Sequence, residues 1–156
     1  MKLLFICTHN RCRSIIAEAV TNHYGKDVLE ARSAGSEPSG NVHPLSIHYL
    51  EAAGINTSGL RSQFWDEHEA WRPDIVITVC DQAAAEPCPV WFGDALQAHW
   101  GLADPSRLKG DDEQVATAFR QTIATLKSRI EALLSADSQV MQPAELLALL
   151  NTMGKK

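Results

Sequence analysis

The sequence predicts a single-domain α/β protein, an open four-stranded parallel sheet with helices on both faces. Three observations predict it. Leu3-Leu4-Phe5-Ile6 is a short apolar run that stops at Cys7, and a helical stripe of Ile16, Ala19, Val20 and His23 follows it. The stretch from Asp74 to Val79 is almost continuously apolar, as a strand buried on both faces of a parallel sheet must be. The patterns follow in the order strand, helix, strand, helix, strand, strand, helix, with no repeat and no linker that marks a second domain.

Lys2–Ile6 is the first strand, and the first helix runs from Arg13 to Tyr24, where Gly25 stops it. Val28–Ala34 is the second strand, followed by a loop rich in Gly, Ser and Pro to Pro44. Pro44 suits a first helical position, and Leu45, His48, Tyr49 and Ala52 share one face until Gly54. Between Thr57 and Arg72, the residues Phe64, Trp65 and Trp71 predict a short helix held down by aromatics. Asp74–Val79 is the third strand, Ala95–Trp100 a short fourth, and Gly101–Gly110 a loop. Asp111 and Gln114 form a capping-box pattern ahead of Val115, Phe119, Thr122, Leu126, Ile130 and Leu133, which repeat at helical spacing to about Leu134. Residues 1–136 make up the domain, and 137–156 form a C-terminal helical tail that Pro143 can start. Its stripe of Leu146, Leu147, Leu149 and Leu150 predicts a core or subunit contact.

Composition excludes several classes. Net charge is −5 and there is no long basic run, so no nucleic-acid partner is expected. No apolar run approaches membrane-spanning length, and Met1-Lys2 leads straight into a strand without a signal peptide. Four cysteines in such a chain point to a reducing, cytoplasmic compartment, where thiols do chemistry instead of stapling the fold.

The chemistry centres on Cys7-Thr8-His9-Asn10-Arg11-Cys12-Arg13-Ser14. A strand, a short loop and a helix N-terminus build an anion site, because loop N–H groups and the helix dipole converge on one spot. Arg13 can close that loop around an oxyanion with a two-pronged contact. The same positive surroundings are expected to depress the Cys7 thiol pKa and make it a nucleophile. Cys12 reads as a loop-packing residue, with a back-door partnership to Cys7 as the alternative. Cys80 ends the third strand, so it belongs to the same sheet edge as Cys7, where open α/β sheets bind ligands. Cys80 and Cys88 share one loop and read as a redox pair, against alternatives of inert thiols or a zinc site with His99 that lacks the usual ligand spacing. Asp104-Pro105 is either a turn initiator or a carboxylic acid poised over the anion site. His9, His43, His48 and His99 show no spacing that singles out a base.

Taken together, Cys7 through Ser14, Ser33-Ala34-Gly35, Val79-Cys80 with Cys88-Pro89, and His99-Trp100-Gly101 with Asp104-Pro105 resemble a known family. It is the bacterial, thiol-recycled arsenate reductases built on the low-molecular-weight protein tyrosine phosphatase fold. The resemblance spans about residues 2–134. It implies that Cys7 attacks arsenate held by the loop amides and Arg13, while Ser14 hydrogen-bonds the Cys7 thiolate and Asp104 protonates the departing hydroxyl. Cys80 would then attack Cys7, releasing arsenite, and Cys88 would carry the disulfide to a surface loop for thioredoxin or another thiol reductant. No metal or organic cofactor is implied. In the thioredoxin-coupled members the loop between the last two cysteines is one residue shorter. Some members bind potassium through residues matching Asn10, Glu18 and Ser33, but where they have a further carboxylate this chain has Gln63. Two other functions share the anion loop: a phosphatase working through a phosphocysteine, and a non-catalytic oxyanion-binding or redox-sensing module. Ser106 stands where the phosphatases usually carry a tyrosine.

Overall fold

A computed structural model describes residues 1–85, 89, 92–93, 95–136 and 140–154. Its sheet has four parallel strands in the order β2-β1-β3-β4, with β1 at Lys2–Ile6, β2 at Glu30–Ala34, β3 at Ile75–Thr78 and β4 at Leu96–His99. Leu3, Leu4, Phe5 and Ile6 are all fully or almost fully buried, so β1 is covered on both faces, which explains its unbroken apolar run. The chain leaves β1 for β2 on one side and returns to β3 on the other. The β1/β3 boundary is therefore the switch point, beyond whose strand ends such sheets hold their ligands.

Local chemistry accounts for most helix ends. α1 spans Arg13–Tyr24, and Gly25 N–H closes its last turn on the Thr21 carbonyl at 2.8 Å. α2 spans Pro44–Ala52, with Pro44 in its first turn and His43 Nδ1 accepting from Leu45 N–H at 3.1 Å. α4 spans Asp112–Ser135 behind a reciprocal capping box. Asp111 accepts from Gln114 N–H at 2.8 Å, and the Gln114 side chain accepts from Asp111 N–H at 3.0 Å. Its buried side includes Phe119, Leu126, Ile130 and Leu133, as the periodicity predicts. The aromatic segment becomes a 3-10 helix over Trp65–Trp71.

Several boundaries differ from expectation: β3 and β4 are each one residue shorter at both ends, and the expected 101–110 loop carries a 3-10 helix at Pro105–Arg107. β2 begins at Glu30, because Val28 and Leu29 turn their N–H groups back to the Gly25 carbonyl at 2.8 and 2.6 Å. The segment after Cys80, read from sequence as loop, opens with a one-turn helix, α3, at Asp81–Ala85. The last helix, α5, spans Pro143–Met153 and packs against β4, burying Leu146, Leu150 and Met153. Its stripe is a core contact. Among the described residues, no helix is long and apolar enough to cross a membrane.

Gly35 directly follows β2 and leaves room for the Cys7 loop. A Cβ there would run into the carbonyl oxygens of Cys7 and Thr8. Both obstacles are backbone, so neither can swing aside. Gly35→Ala should destabilise the protein by about 1–3 kcal/mol, the usual range for overpacking. Urea unfolding of the two proteins measures this, and an unchanged midpoint would show that the loop is not packed against Gly35.

Candidate active site

The register of β1 and β3 builds the site. Ile6 stands opposite Thr78, and Val79 N–H continues the ladder to the Ile6 carbonyl at 2.9 Å. Cys7 and Cys80 therefore leave neighbouring strands side by side, and both line one small pocket, close enough for each thiol to act on the other's proton. Cys80 Sγ also accepts from Ala83 N–H at 3.4 Å, and Thr8 Oγ1 lies 3.8 Å from it.

The loop after Cys7 is held from outside. The carbonyls of Thr8, His9 and Arg11 accept from Glu37 N–H, Ser39 N–H and His43 N–H at 2.9, 3.0 and 2.9 Å. Because a peptide's C=O and N–H point in opposite directions, the N–H groups of His9, Asn10 and Cys12 face the other way. Asn10 takes a left-handed conformation, φ 45°, at the crest of the loop. Its amide nitrogen donates to Ser14 Oγ at 2.8 Å and Ser33 Oγ at 3.0 Å, and its oxygen accepts from Gln63 N–H at 2.8 Å. These bonds stabilise a backbone conformation that most residues avoid.

A small pocket of about 30 Å³ opens here, lined by Cys7, Thr8, His9, Arg11, Cys12 and Arg13 from the loop and by Cys80, Asp104 and Arg107. Among the described residues, no Phe, Tyr or Trp lines it. Arg13 Nη1 donates to the Leu102 carbonyl at 2.9 Å, and its Nη2 lies 3.7 Å from Asp104. Arg13 Nε is buried and has no hydrogen-bond partner among the described residues. A buried, unmatched guanidinium donor beside such a loop is suited to an anion.

Charge in the pocket is arranged differently from the sequence expectation. The hydrogen bond with Cys80, and burial, hold the Cys7 thiol well above the ordinary range, outweighing Arg13 and the Thr8 amide. The same hydrogen bond, helped by the Ala83 and Thr8 N–H groups, pulls Cys80 down despite burial. The pair's negative charge thus lies on Cys80, and the expected Cys7 thiolate is corrected. The physical reason is the neighbouring Cys80 thiol together with burial, which outweigh the guanidinium. Burial also pushes Cys12 up to about 11, which suits a packing residue. Burial would raise the Asp104 carboxyl too, but two hydrogen bonds from Ser106 and the guanidiniums of Arg13 and Arg107 hold it below the usual carboxylate range.

Of the remaining sequence candidates, Ser14 meets Asn10, as above, and Cys88 lies outside the described residues. Sequence reasoning missed Arg107, whose only cue was its place two residues after Pro105. It also missed the partners of His99, whose ring bonds Thr78 Oγ1 at 2.8 Å and Asp81 Oδ1 at 2.9 Å and so ties β4 to the start of α3. Neither partner is near His99 in sequence.

Asn10, Glu18, Ser33 and Gln63 do gather behind the loop, but their arrangement does not fit a potassium ion. Ser33 donates its proton to Glu18 at 2.6 Å, Asn10 turns nitrogen toward Ser33, and Gln63 Nε2 donates to the Arg61 carbonyl at 3.4 Å. One carboxylate remains, with Arg32 and Arg61 in electrostatic reach. Among the described residues, no group of three or more His, Cys, Asp or Glu side chains could hold a metal.

Comparison with known proteins agrees with this geometry. The family described as low molecular weight phosphotyrosine protein phosphatase matches residues 2–144. A glutaredoxin arsenate reductase from Synechocystis is 33% identical over 134 residues, covering 86% of this chain and 96% of its own. A solved structure described as an arsenate reductase in the phosphate binding state superposes with a TM-score of 0.71 at 32% identity, covering 86% and 97% of the two chains. The thioredoxin-dependent arsenate reductase of Corynebacterium glutamicum gives 0.67 at 29% identity, over 90% of this chain and 63% of its own.

Glu18 supplies a test of the network behind the loop. Burial, opposed by the Ser33 hydrogen bonds, raises its carboxyl from 4.5 to about 7. The folded protein therefore holds a proton that the unfolded chain has released, and Glu18's contribution to stability falls as pH rises from about 4.5 to about 7. Glu18→Gln mimics the protonated form. Its urea midpoint should change less than the wild type's between pH 5 and 7.5 and should exceed it at pH 7.5; parallel profiles would show that Glu18 titrates normally.

Proposed function

Because the chain belongs to the low molecular weight phosphotyrosine protein phosphatase family, and within it to the arsenate reductases, we propose that it reduces arsenate to arsenite through a three-cysteine relay. The observation that carries this reading is the placement of Cys7 and Cys80 side by side at the ends of paired strands, both lining the pocket of the anion loop. A phosphatase finishing with water has no use for a second thiol there, and among the described residues no Phe, Tyr or Trp lines the pocket as a wall for a phosphotyrosine ring.

In the proposed sequence, an arsenate oxyanion takes the loop amides and the Arg13 guanidinium. Drawing Arg13 toward the oxyanion loosens it from Asp104, and the incoming charge repels the carboxylate; both push the Asp104 pKa up and let it carry a proton. Withdrawal of Arg13 from Asp104 and Cys7's loss of its proton toward Cys80 leave a thiolate beside the guanidinium. Cys7 sulfur attacks arsenic, an S–As bond forms, and the departing oxygen leaves as water with the Asp104 proton. Ser14 hydroxyl donates to the Cys7 thiolate. Cys80, its proton passed to an arsenic-bound oxygen, attacks Cys7 sulfur; the S–As bond breaks, and its electron pair leaves with arsenic. Arsenic(V) gains two electrons and becomes arsenite, while two thiols become the Cys7–Cys80 disulfide. Cys88 then attacks Cys80, freeing Cys7, and thioredoxin or another dithiol reduces the Cys80–Cys88 disulfide. No metal or organic cofactor takes part, and a reducing cytoplasm suits the relay.

Arsenite release measured in a single turnover, followed by non-reducing peptide mapping, tests the order. Cys88→Ser should release about one arsenite per chain and stop with a Cys7–Cys80 disulfide, whereas Cys80→Ser should stall before efficient release. Sustained turnover by Cys88→Ser would remove Cys88 from the relay, and a trapped Cys7–Cys12 pair would move the resolving role into the loop. Steady turnover with thioredoxin against glutaredoxin identifies the reductant. If Asp104 is the acid, Asp104→Asn should lower kcat by about 10²–10⁴-fold, the usual contribution of general acid catalysis, with little change in oxyanion affinity. Equal kinetics would reject the role.

A further inference from the structure

The family match ends at residue 144, so nearly all of α5 lies beyond the shared region. What this helix touches leads back to the anion loop. Trp100 is fully buried, and its Nε1–H donates to the Leu150 carbonyl on α5 at 2.9 Å, an oxygen that also accepts from Gly154 N–H. The Phe5 ring of β1 lies 6.0 Å from the indole, and the Arg129 guanidinium of α4 lies over it at 5.7 Å. At the end of α5, a Cβ on Gly154 would collide with the His99 carbonyl, so helix and strand end meet backbone to backbone.

From Trp100 the chain runs directly into the site. Trp100 N–H and Leu102 N–H bond the carbonyls of Thr78 and Val79, at 2.8 and 3.1 Å, on the strand that leads to Cys80. Leu102 then offers its carbonyl to Arg13, and Asp104 follows two residues later. Arg13 thus takes two of its contacts from one short segment, whose first residue is held by α5.

We propose that α5 is a positioning element for the anion site: through Trp100 it fixes the 101–104 segment that holds Arg13 and Asp104 over Cys7. Side chains that bind an oxyanion must be held within a few tenths of an ångström, and a loop gains such precision only from a packed support. The inference rests on the reading that Cys7 and Arg13 receive an oxyanion. It makes α5 part of the working site and gives Trp100 a role that burial alone does not.

The test uses full-length protein and inorganic phosphate as the probe, measured as protection of the Cys7 and Cys80 thiols from iodoacetamide below the melting temperature of every variant. Trp100→Phe keeps the ring but deletes the hydrogen bond to Leu150. Gly154→Val forces the end of α5 away from His99. Leu29→Ala, buried just ahead of β2 at the sheet edge opposite β4, is the control for simple loss of stability. Both site-coupled variants should need roughly 5-fold or more phosphate for half-protection, a loss of about 1 kcal/mol, and show a raised KM for arsenate. Leu29→Ala should lose melting temperature but keep wild-type protection. If Trp100→Phe and Gly154→Val melt earlier yet are protected like wild type, or if Leu29→Ala loses protection equally, α5 only stabilises the fold and the proposal fails. If Gly154→Val does not fold, Trp100→Phe alone decides. Absence of phosphate protection in the wild type would overturn the reading of the site itself and this inference with it.

Discussion

The parallel pairing of β1 with β3 is the constraint on which the rest of the site depends. Neighbouring strands lie about 4.8 Å apart, so two cysteines placed just past their ends meet although 73 residues separate them in the chain. The other parts of the site are arranged around that meeting. The loop folds away from β1 and shows its carbonyls to residues 37–43, and Gly35 gives it space. Arg13 starts the next helix and reaches back toward the segment after β4.

The electrostatics follow from burial more than from overall charge. A net charge of −5 would discourage anions, yet Arg11, Arg13 and Arg107 face one small pocket. Two negative groups, the Cys80 sulfur and the Asp104 carboxylate, offset them locally. Behind the loop, Glu18 sits at the opposite extreme, a carboxyl raised toward neutrality by the same scarcity of water. Hydrogen bonds through Ser33 and Asn10 connect it to the loop crest.

Sequence reading reached far because the fold relies on local rules. The unbroken run in β1, Gly25 after α1, Pro44 at the start of α2 and the Asp111/Gln114 box each have one physical meaning, and each appears in its place. The same reading failed where tertiary contacts decide. Val28 looks like a strand residue, but its N–H is taken by Gly25. The one-turn helix α3 is too short for periodicity to reveal. The Cys7 thiol departs from its expected low pKa because the Cys80 thiol and burial, neither visible in local spacing, act on it more strongly than Arg13. Arg13 reads in sequence as a free cation, whereas folding supplies it with Asp104 and the Leu102 carbonyl. Contacts between residues 89 and 91 positions apart leave no trace in local spacing.

The engagement of Arg13 changes what ligand capture means at this pocket. A guanidinium that already has acceptors does not simply attract an anion; it trades partners. The net affinity is the difference between two sets of hydrogen bonds, so an anion gains a hold only by offering oxygens better placed than Asp104 and Leu102. A halide, spherical and without a fork of acceptors, offers little in that exchange. A tetrahedral oxyanion can meet both Nε and Nη2 at once, and Nε has no acceptor to surrender. Selectivity by shape thus arises from an internal competitor that the protein carries with it.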